Sequence, residues 1–147
     1  MAVPRVRPGR EQLSETSMKY EDYLAAYNLG DDARLIDTFF HPDAVIDGPD
    51  QSFATSADFL RMLQFVHHGV VETLTPLAVL ESQDLIIAEL NATFTARIER
   101  LDFPFASLGP GDNLTMRFFA RYHLRAGKVA RMSLACWLPA MRGLPAA

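Results

Sequence analysis

Three side chains combine a chemical type and a sequence position that suit proton transfer: Asp47, Tyr23 and His67. A carboxylate beside an apolar chamber loses the hydration of its charged form, so its pKa rises and it becomes a usable base near neutral pH. A phenol in such a chamber donates a hydrogen bond to a carbonyl or a developing enolate. An imidazole titrates near neutral pH and can shuttle a proton. This set suggests acid/base catalysis without a cofactor.

Each of these side chains also has a purely structural explanation, and the sequence leaves both open. Asp47 precedes a Gly-Pro pair and can cap a turn. Tyr23 and Tyr27, one helical turn apart, can be packed aromatic residues whose hydroxyl groups bond to backbone oxygens. His67 and His68 can complement the negative C-terminal end of a helix. His67 is preferred over His68 because it shares a helical stripe with neighbouring apolar residues.

Other kinds of site find little support. The four histidines show no ligand spacing and no thiolate pair accompanies them, so no metal site is predicted. Gly109-Pro-Gly111 lacks the lysine and the strand-to-helix context of a phosphate loop. Cys136 lies in an apolar strand, where a buried, inert thiol is expected. We predict that no cofactor is needed.

Composition narrows the classes of partner. Lys and Arg number 14 and Asp and Glu 18, so the net charge of −4 argues against nucleic-acid binding. The longest apolar runs are far shorter than a membrane span. A single cysteine allows no disulfide framework within the chain and favours a reducing compartment. We therefore predict a cytoplasmic protein that binds neither nucleic acid nor membrane.

Two long runs of alternating residues predict the strands that position the candidate groups. Apolar residues take every second place from Leu85 to Arg100 and again from Leu114 to Arg125. A period of two puts successive side chains on opposite faces of a strand. The chain therefore forms a broad sheet with one apolar face. Further strands are expected at 44–47, 51–53, 71–81 and 129–138.

The helices that can cover this face come earlier in the chain. Tyrosines and leucine at helical spacing predict a first helix over 16–29. A short second helix ends at Phe40, because the residue before a proline is pushed out of helical geometry. A third begins after Thr55 and ends at Gly69. This order predicts an α+β fold with the helices packed on the sheet.

The domain boundaries follow from the same patterns. Residues 1–15 are predicted to be a flexible N-terminal arm, because they carry scattered arginines and no apolar stretch. Residues 16–138 form a single domain, a size typical of one hydrophobic core. Residues 139–147 are predicted to be a C-terminal tail.

Several segments resemble a known superfamily. Tyr23–Asp31, Phe39-Phe40 and Asp43–Asp47 resemble the opening of the nuclear transport factor 2-like superfamily, closest to its SnoaL-like polyketide cyclase and ketosteroid isomerase branches. Arg121–Val129, followed by Trp137, is similar to their last hairpin. The resemblance implies a cystatin-like cone, with three N-terminal helices packed on a strongly curved, mostly antiparallel sheet. The superfamily includes isomerases, dehydratases, cyclases, epoxide hydrolases and non-catalytic members, so fold alone does not identify a reaction.

The resemblance also implies where a site would lie, in a pocket between the helices and the sheet. Tyr23 matches the tyrosine that ketosteroid isomerases carry on the first helix. Asp47 is the acid nearest to their general base, although the alignment puts Gly48 on that position, and a shift of one residue reverses the side chain's face. Their late-strand aspartate falls near Phe119 or Ala120, where no acid exists. Ketosteroid isomerisation is therefore not expected.

These considerations lead to one function and one alternative. We predict a small-molecule-binding protein that isomerises, cyclises or dehydrates an apolar carbonyl compound. Asp47 or His67 would move the proton and Tyr23 would polarise an oxygen. The pocket wall is predicted to include Tyr27, Phe53, Leu63, Tyr122 and Trp137. The alternative is a non-catalytic module of the same fold.

The other face of the sheet predicts self-association. It mixes arginines and glutamates with apolar side chains such as Ile87 and Phe119. Such a mixture suits a self-complementary interface. Dimers through the outer sheet face are usual in the superfamily that the chain resembles. A homodimer through this face is therefore predicted.

Overall fold

The computed structural model describes residues 17–137. The predicted arm at 1–15 and tail at 139–147 lie outside the described residues, and the domain boundaries stay predictions.

Three helices precede or interrupt the early strands. They are α1 (Tyr20–Leu29), α2 (Asp32–Phe39) and α3 (Ser56–Val66). Gly30 ends α1 in the left-handed conformation, with φ +83°, which glycine adopts without a steric cost. The Asp31 carboxylate caps α2 by accepting a hydrogen bond from the Arg34 amide, and the Thr55 hydroxyl caps α3 in the same way.

Six strands form one sheet. They are β1 (Phe40–Asp47), β2 (Ser52–Phe53), β3 (Val70–Glu81), β4 (Leu85–Ala96), β5 (Asn113–Arg125) and β6 (Lys128–Trp137). Their spatial order is β2-β1-β6-β5-β4-β3. β1 runs parallel to β6, and the other neighbours are antiparallel. This mixed, curved sheet with three helices on it confirms the predicted α+β cone.

The boundaries predicted at Phe40 and at Arg100 are wrong. Phe40 begins β1 and does not end α2, because it pairs with Val129 of β6 and its ring packs against Phe59. β4 ends at Ala96 and does not reach Arg100. Arg100 instead pairs with Leu108 across the following loop, which folds back toward α3.

The alternating residues of the long strands divide into a buried face and an outer face. Ile86, Ala88 and Leu90 of β4 are buried under the helices, as are Phe118 and Tyr122 of β5. The neighbours between them point to the opposite side, as the period of two requires. We call the buried side the inner face and the opposite side the outer face.

A tight turn at Gly69 connects α3 to β3. Gly69 has φ +67°, and a Cβ at this position would collide with the Ile98 side chain. Replacing Gly69 with Ala is therefore expected to lower the free energy of unfolding by about 1–3 kcal/mol. Urea denaturation measures this loss. Gly30→Ala is the matched control, because Gly30 also has a positive φ but has open space around it. A loss of unfolding free energy no larger than that of Gly30→Ala would mean that the Ile98 side chain moves aside without a measurable cost.

Candidate functional site

A cavity of about 210 Å³ lies between the helices and the inner face of the sheet. The loop 48–51 and the loop residues Pro104 and Phe105 contribute to its lining, together with the second half of α3. Most of its wall is apolar or aromatic. The wall's aromatic residues are Tyr23, Tyr27, Phe53, Phe59, Phe65, Phe94, Phe105, Phe118 and Tyr122.

Glu72 of β3 is the carboxylate that reaches the interior wall of this cavity. Its side chain is only 7% exposed. Oε1 accepts a hydrogen bond from the Tyr27 hydroxyl at 2.7 Å and lies 2.8 Å from Nε2 of His67. Oε2 has no hydrogen-bond partner among residues 17–137. One carboxylate oxygen is therefore fixed by the protein, while the other has no partner in the described residues.

His67 lies behind Glu72 and does not itself line the cavity. Its Nδ1 is 2.8 and 2.9 Å from the two carboxylate oxygens of Asp32, at the start of α2. Its Nε2 contacts Glu72. We call Asp32, His67, Glu72 and Tyr27 the carboxylate network. It joins α1, α2, the end of α3 and the edge strand β3.

The imidazole of His67 is charged at neutral pH. Burial of the ring disfavours the charge. The hydrogen bonds to Asp32 and Glu72, together with the attraction of both carboxylates, outweigh burial and raise the pKa of His67 to about 9. Both ring nitrogens then donate, one to each carboxylate. The network therefore holds two negative groups and one positive group.

Phenols form a second polar group at the cavity. The hydroxyl oxygens of Tyr20 and Tyr122 lie 2.8 Å apart. The ring of Tyr23 packs against both, with centroid distances of 5.7 and 5.5 Å. Burial raises the pKa of Tyr23 and of Tyr122 well above the usual value. Both phenols therefore stay protonated, and each retains a hydrogen that it can donate.

Asp47 does not reach the cavity. Its carboxylate accepts hydrogen bonds from Nε and Nη2 of Arg131 at 3.0 and 2.7 Å on the outer face. The hydrogen bond from Arg131 is the main cause that holds the pKa of Asp47 below its usual range. Ile46, one residue earlier, is buried and lines the cavity. The prediction of Asp47 as the proton-transfer group is wrong, because successive strand residues point to opposite faces.

Trp137 also lies on the outer face, and its prediction as a pocket residue is wrong. Its side chain is 58% exposed, and its ring stacks on Phe119 at a centroid distance of 6.4 Å. Cys136, which pairs with the inward-facing Phe118, takes the opposite orientation. The structure places the other predicted wall residues on the cavity: Tyr27, Phe53, Leu63 and Tyr122. Tyr23, the predicted hydrogen-bond donor, also lines it.

Glu72 is not among the predicted site residues, although the sequence contains a signal for it. Val70, Glu72 and Leu74 occupy alternate positions of β3, and the two flanking residues are buried. A single acid between two apolar residues on one face of a strand indicates a carboxylate directed at the core. Asp32 gave no such signal, because an acid in the first helical turn is common.

Neither a metal site nor a membrane span is found in the described region. Among residues 17–137, no group of three or more His, Cys, Asp and Glu side chains is arranged to hold a metal ion. None of the helices in the same region has the length and hydropathy needed to cross a bilayer.

Comparison of the sequence with family descriptions gives one match. The SnoaL-like domain matches residues 20–132, which is most of the chain. The protein belongs to the SnoaL-like domain family. This confirms the resemblance found in the first helix and the last hairpin. No curated protein matches the SnoaL-like chain at a significant level.

Solved structures share the fold of this SnoaL-like protein. A candidate polyketide cyclase from Pseudomonas putida is 18% identical with a TM-score of 0.69, covering 86% of this chain and 95% of its own. AclR, a candidate hydroxylase from Streptomyces galilaeus, is 18% identical with a TM-score of 0.68, covering 87% and 81%. An LEH-like epoxide hydrolase from Mycobacterium tuberculosis is 9% identical with a TM-score of 0.62, covering 80% and 79%. At these identities the likeness shows the fold, while the three descriptions name different reactions.

Proposed function

We propose that this SnoaL-like protein binds a compact, largely apolar carbonyl compound in its cavity and moves a proton on it without a cofactor. The observation that carries this proposal is Glu72, a carboxylate with one free oxygen on the wall of an otherwise aromatic cavity. Binding sites typically combine apolar walls with a few aimed polar groups. A cavity of about 150 Å³ in another protein holds benzene, so 210 Å³ suits a substituted ring.

The proposed mechanism uses Glu72 as the base. Oε2 of Glu72 removes a hydrogen from the carbon next to the carbonyl, and the carbonyl oxygen becomes an enolate oxygen. A phenol of Tyr23 or Tyr122 donates a hydrogen bond to that oxygen. Glu72 then returns the proton to the same or another carbon. Isomerisation, cyclisation and dehydration of a carbonyl compound all begin with this step.

His67 and Asp32 act as positioning residues in this mechanism. His67 contacts both Glu72 and Asp32, and neither His67 nor Asp32 lines the cavity. The imidazolium fixes Oε1 of Glu72, and Asp32 fixes the orientation of the ring by accepting from Nδ1. In this mechanism Glu72 is held in one side-chain rotamer, so it does not lose conformational freedom when the ketone binds.

Filling the cavity is expected to abolish binding of a model ketone. Leu134 lines the cavity, and Leu134→Trp would occupy much of its volume. We expect 2-tetralone to bind the natural protein and to bind this variant at least tenfold more weakly, as measured by titration calorimetry. Thr115→Trp adds the same ring at an exposed position and should leave affinity unchanged. Equal affinity in all three proteins would place the ketone elsewhere and overturn the proposal.

The outer face supports a second proposal, that the protein forms a homodimer. Leu80, Ile87, Phe119 and Trp137 are exposed there on adjacent strands. Arg117 and Glu89 lie among them as an ion pair at 3.4 Å. Apolar side chains mixed with paired charges suit a self-complementary surface.

Phe119→Arg is expected to break this dimer. A buried, unpaired cation repeated on both subunits would oppose association. Sedimentation should report a mass of twice 16.4 kDa for the natural protein and 16.4 kDa for the variant. Leu29→Arg, at an exposed site on α1, is the control that should stay dimeric. A natural protein that is monomeric at high concentration would contradict the proposal.

A further inference from the structure

The charged side chains on the cavity wall all have the same sign. They are Glu72 in the interior and Asp50 in the exposed 48–51 loop, and no Lys, Arg or His of residues 17–137 contributes to the lining. A carboxylate ligand would therefore meet two carboxylates and no cationic partner. Binding sites for carboxylates normally supply an arginine, a lysine or a helix N-terminus.

The groups behind the wall do not offset the charge of Glu72, because the charges of Asp32 and His67 cancel one another. Asp32 and Glu72 contribute two negative charges and His67 one positive charge, which leaves a total of −1. Both nitrogens of His67 already donate to those carboxylates. The imidazolium therefore has no donor left for an anion in the cavity.

Arg100 is a further buried cation, held at the end of α3, and its Nη2 has no hydrogen-bond partner among residues 17–137. Its guanidinium donates to the carbonyls of Val66 and His68 at the end of α3 and to Asp102 at 2.9 Å. It lies over the ring of Phe65, 5.0 Å from the centroid. Arg100 thus satisfies the negative end of α3 and does not line the cavity.

Aromatic rings in the wall favour a cation wherever a ring face meets the occupant. Nine aromatic rings line the cavity. The face of an aromatic ring carries partial negative charge and attracts a cation. A carboxylate gains no such attraction from a ring face, and it loses its hydration on entry.

We propose that the cavity accepts uncharged or cationic carbonyl compounds and rejects keto acids of the same size. This inference rests on the proposed function, because it assumes that the cavity is the ligand site. It narrows the substrate class to carbonyl compounds without a free carboxylate.

A matched series of ketones tests the proposal. The probes are 4-methylacetophenone, which is uncharged, 4-(aminomethyl)acetophenone, which is cationic, and 4-acetylbenzoate, which is anionic. Dissociation constants are measured by titration calorimetry near neutral pH with the full chain. We expect the anion to bind at least tenfold more weakly than the uncharged ketone and the cation at least as tightly as the uncharged ketone.

Two variants test whether the cavity wall causes the weaker binding of the anionic ketone. Glu72→Gln and Asp50→Asn each remove one wall carboxylate without a large change in shape. Each should reduce severalfold the ratio of the anion's dissociation constant to that of the uncharged ketone. Glu21→Gln, at an exposed position of α1 away from the cavity and the outer face, should leave the relative affinities of the three ketones unchanged. If the dissociation constants of the anion and the uncharged ketone for the natural protein agree within twofold, the inference is overturned and the proposed function stays intact. If none of the three ketones binds, the proposed function itself fails.

Discussion

Replacing Glu72 with Gln is expected to slow the α-hydrogen exchange of a bound ketone by about 10²–10⁴-fold, the usual contribution of a general base. Gln keeps the shape of the side chain and can still accept through Oε1 from Tyr27 and His67. It cannot accept a proton from carbon. The variant therefore separates the loss of the base from a loss of structure.

The measurement uses 2-tetralone in heavy water, followed by NMR as its α-hydrogens are replaced by deuterium. The dissociation constant of 2-tetralone for Glu72→Gln should stay within a few fold of the natural protein's value. The effect of the substitution then appears in the exchange rate at saturating ketone. Glu21→Gln makes the same change in an exposed carboxylate of α1, and this variant should exchange the α-hydrogens at the natural rate. If Glu72→Gln exchanges as fast as the natural protein, Glu72 is not the base.

The experiment also separates the enzyme from the non-catalytic alternative. A natural protein that binds 2-tetralone, and in which bound ketone exchanges no faster than ketone in buffer, is a ligand-binding module. The cavity and its charge preference would then stand without the proton transfer.

Raising the pH from 6 to 10 is expected to destabilise the protein through His67. The pKa of this residue is about 9 in the folded protein, against an ordinary value of 6.5. A raised pKa contributes stability that is fully present below 6.5 and is lost as the pH rises through 9. The difference between these two pKa values, at about 1.4 kcal/mol for each pKa unit, corresponds to a contribution to the free energy of unfolding on the order of 3 kcal/mol.

His67→Gln should remove this dependence. The variant should be less stable than the natural protein at pH 6, and the two should approach one another by pH 10. Urea denaturation at intervals across this range gives the free energies of unfolding. His123→Gln, on the outer face, is the control and should keep the natural slope. A His67→Gln protein with the same slope between pH 6.5 and 9 would show that the network does not hold the imidazole in its charged form.

The two predictions concern different properties of one network. Glu72 contacts the cavity, so its replacement should change chemistry more than stability. His67 is held between two carboxylates behind the wall, so its replacement should change stability at low pH and, through the orientation of Glu72, the exchange rate. A smaller loss of exchange in His67→Gln than in Glu72→Gln would match the role of a positioning residue.

The fold could be predicted because its signals are local. Alternation along β4 and β5 places apolar side chains on one face of a sheet, whatever covers that face. Glycine after α1 and the hydroxyl of Thr55 before α3 mark helix ends within a few residues of chain. The family resemblance also depended on such local segments.

The site depended on contacts that no local pattern contains. Asp32 and His67 are 35 residues apart in sequence and meet only because α2 packs against the end of α3. The exclusion of Asp47 and Trp137 from the cavity followed from strand register, where a shift of one residue exchanges the two faces. The sequence by itself therefore determined which elements form and which faces are apolar. Tertiary packing alone decided that His67 and Tyr27 hold the Glu72 carboxylate, because hydrogen-bond geometry between distant elements is set only when they dock.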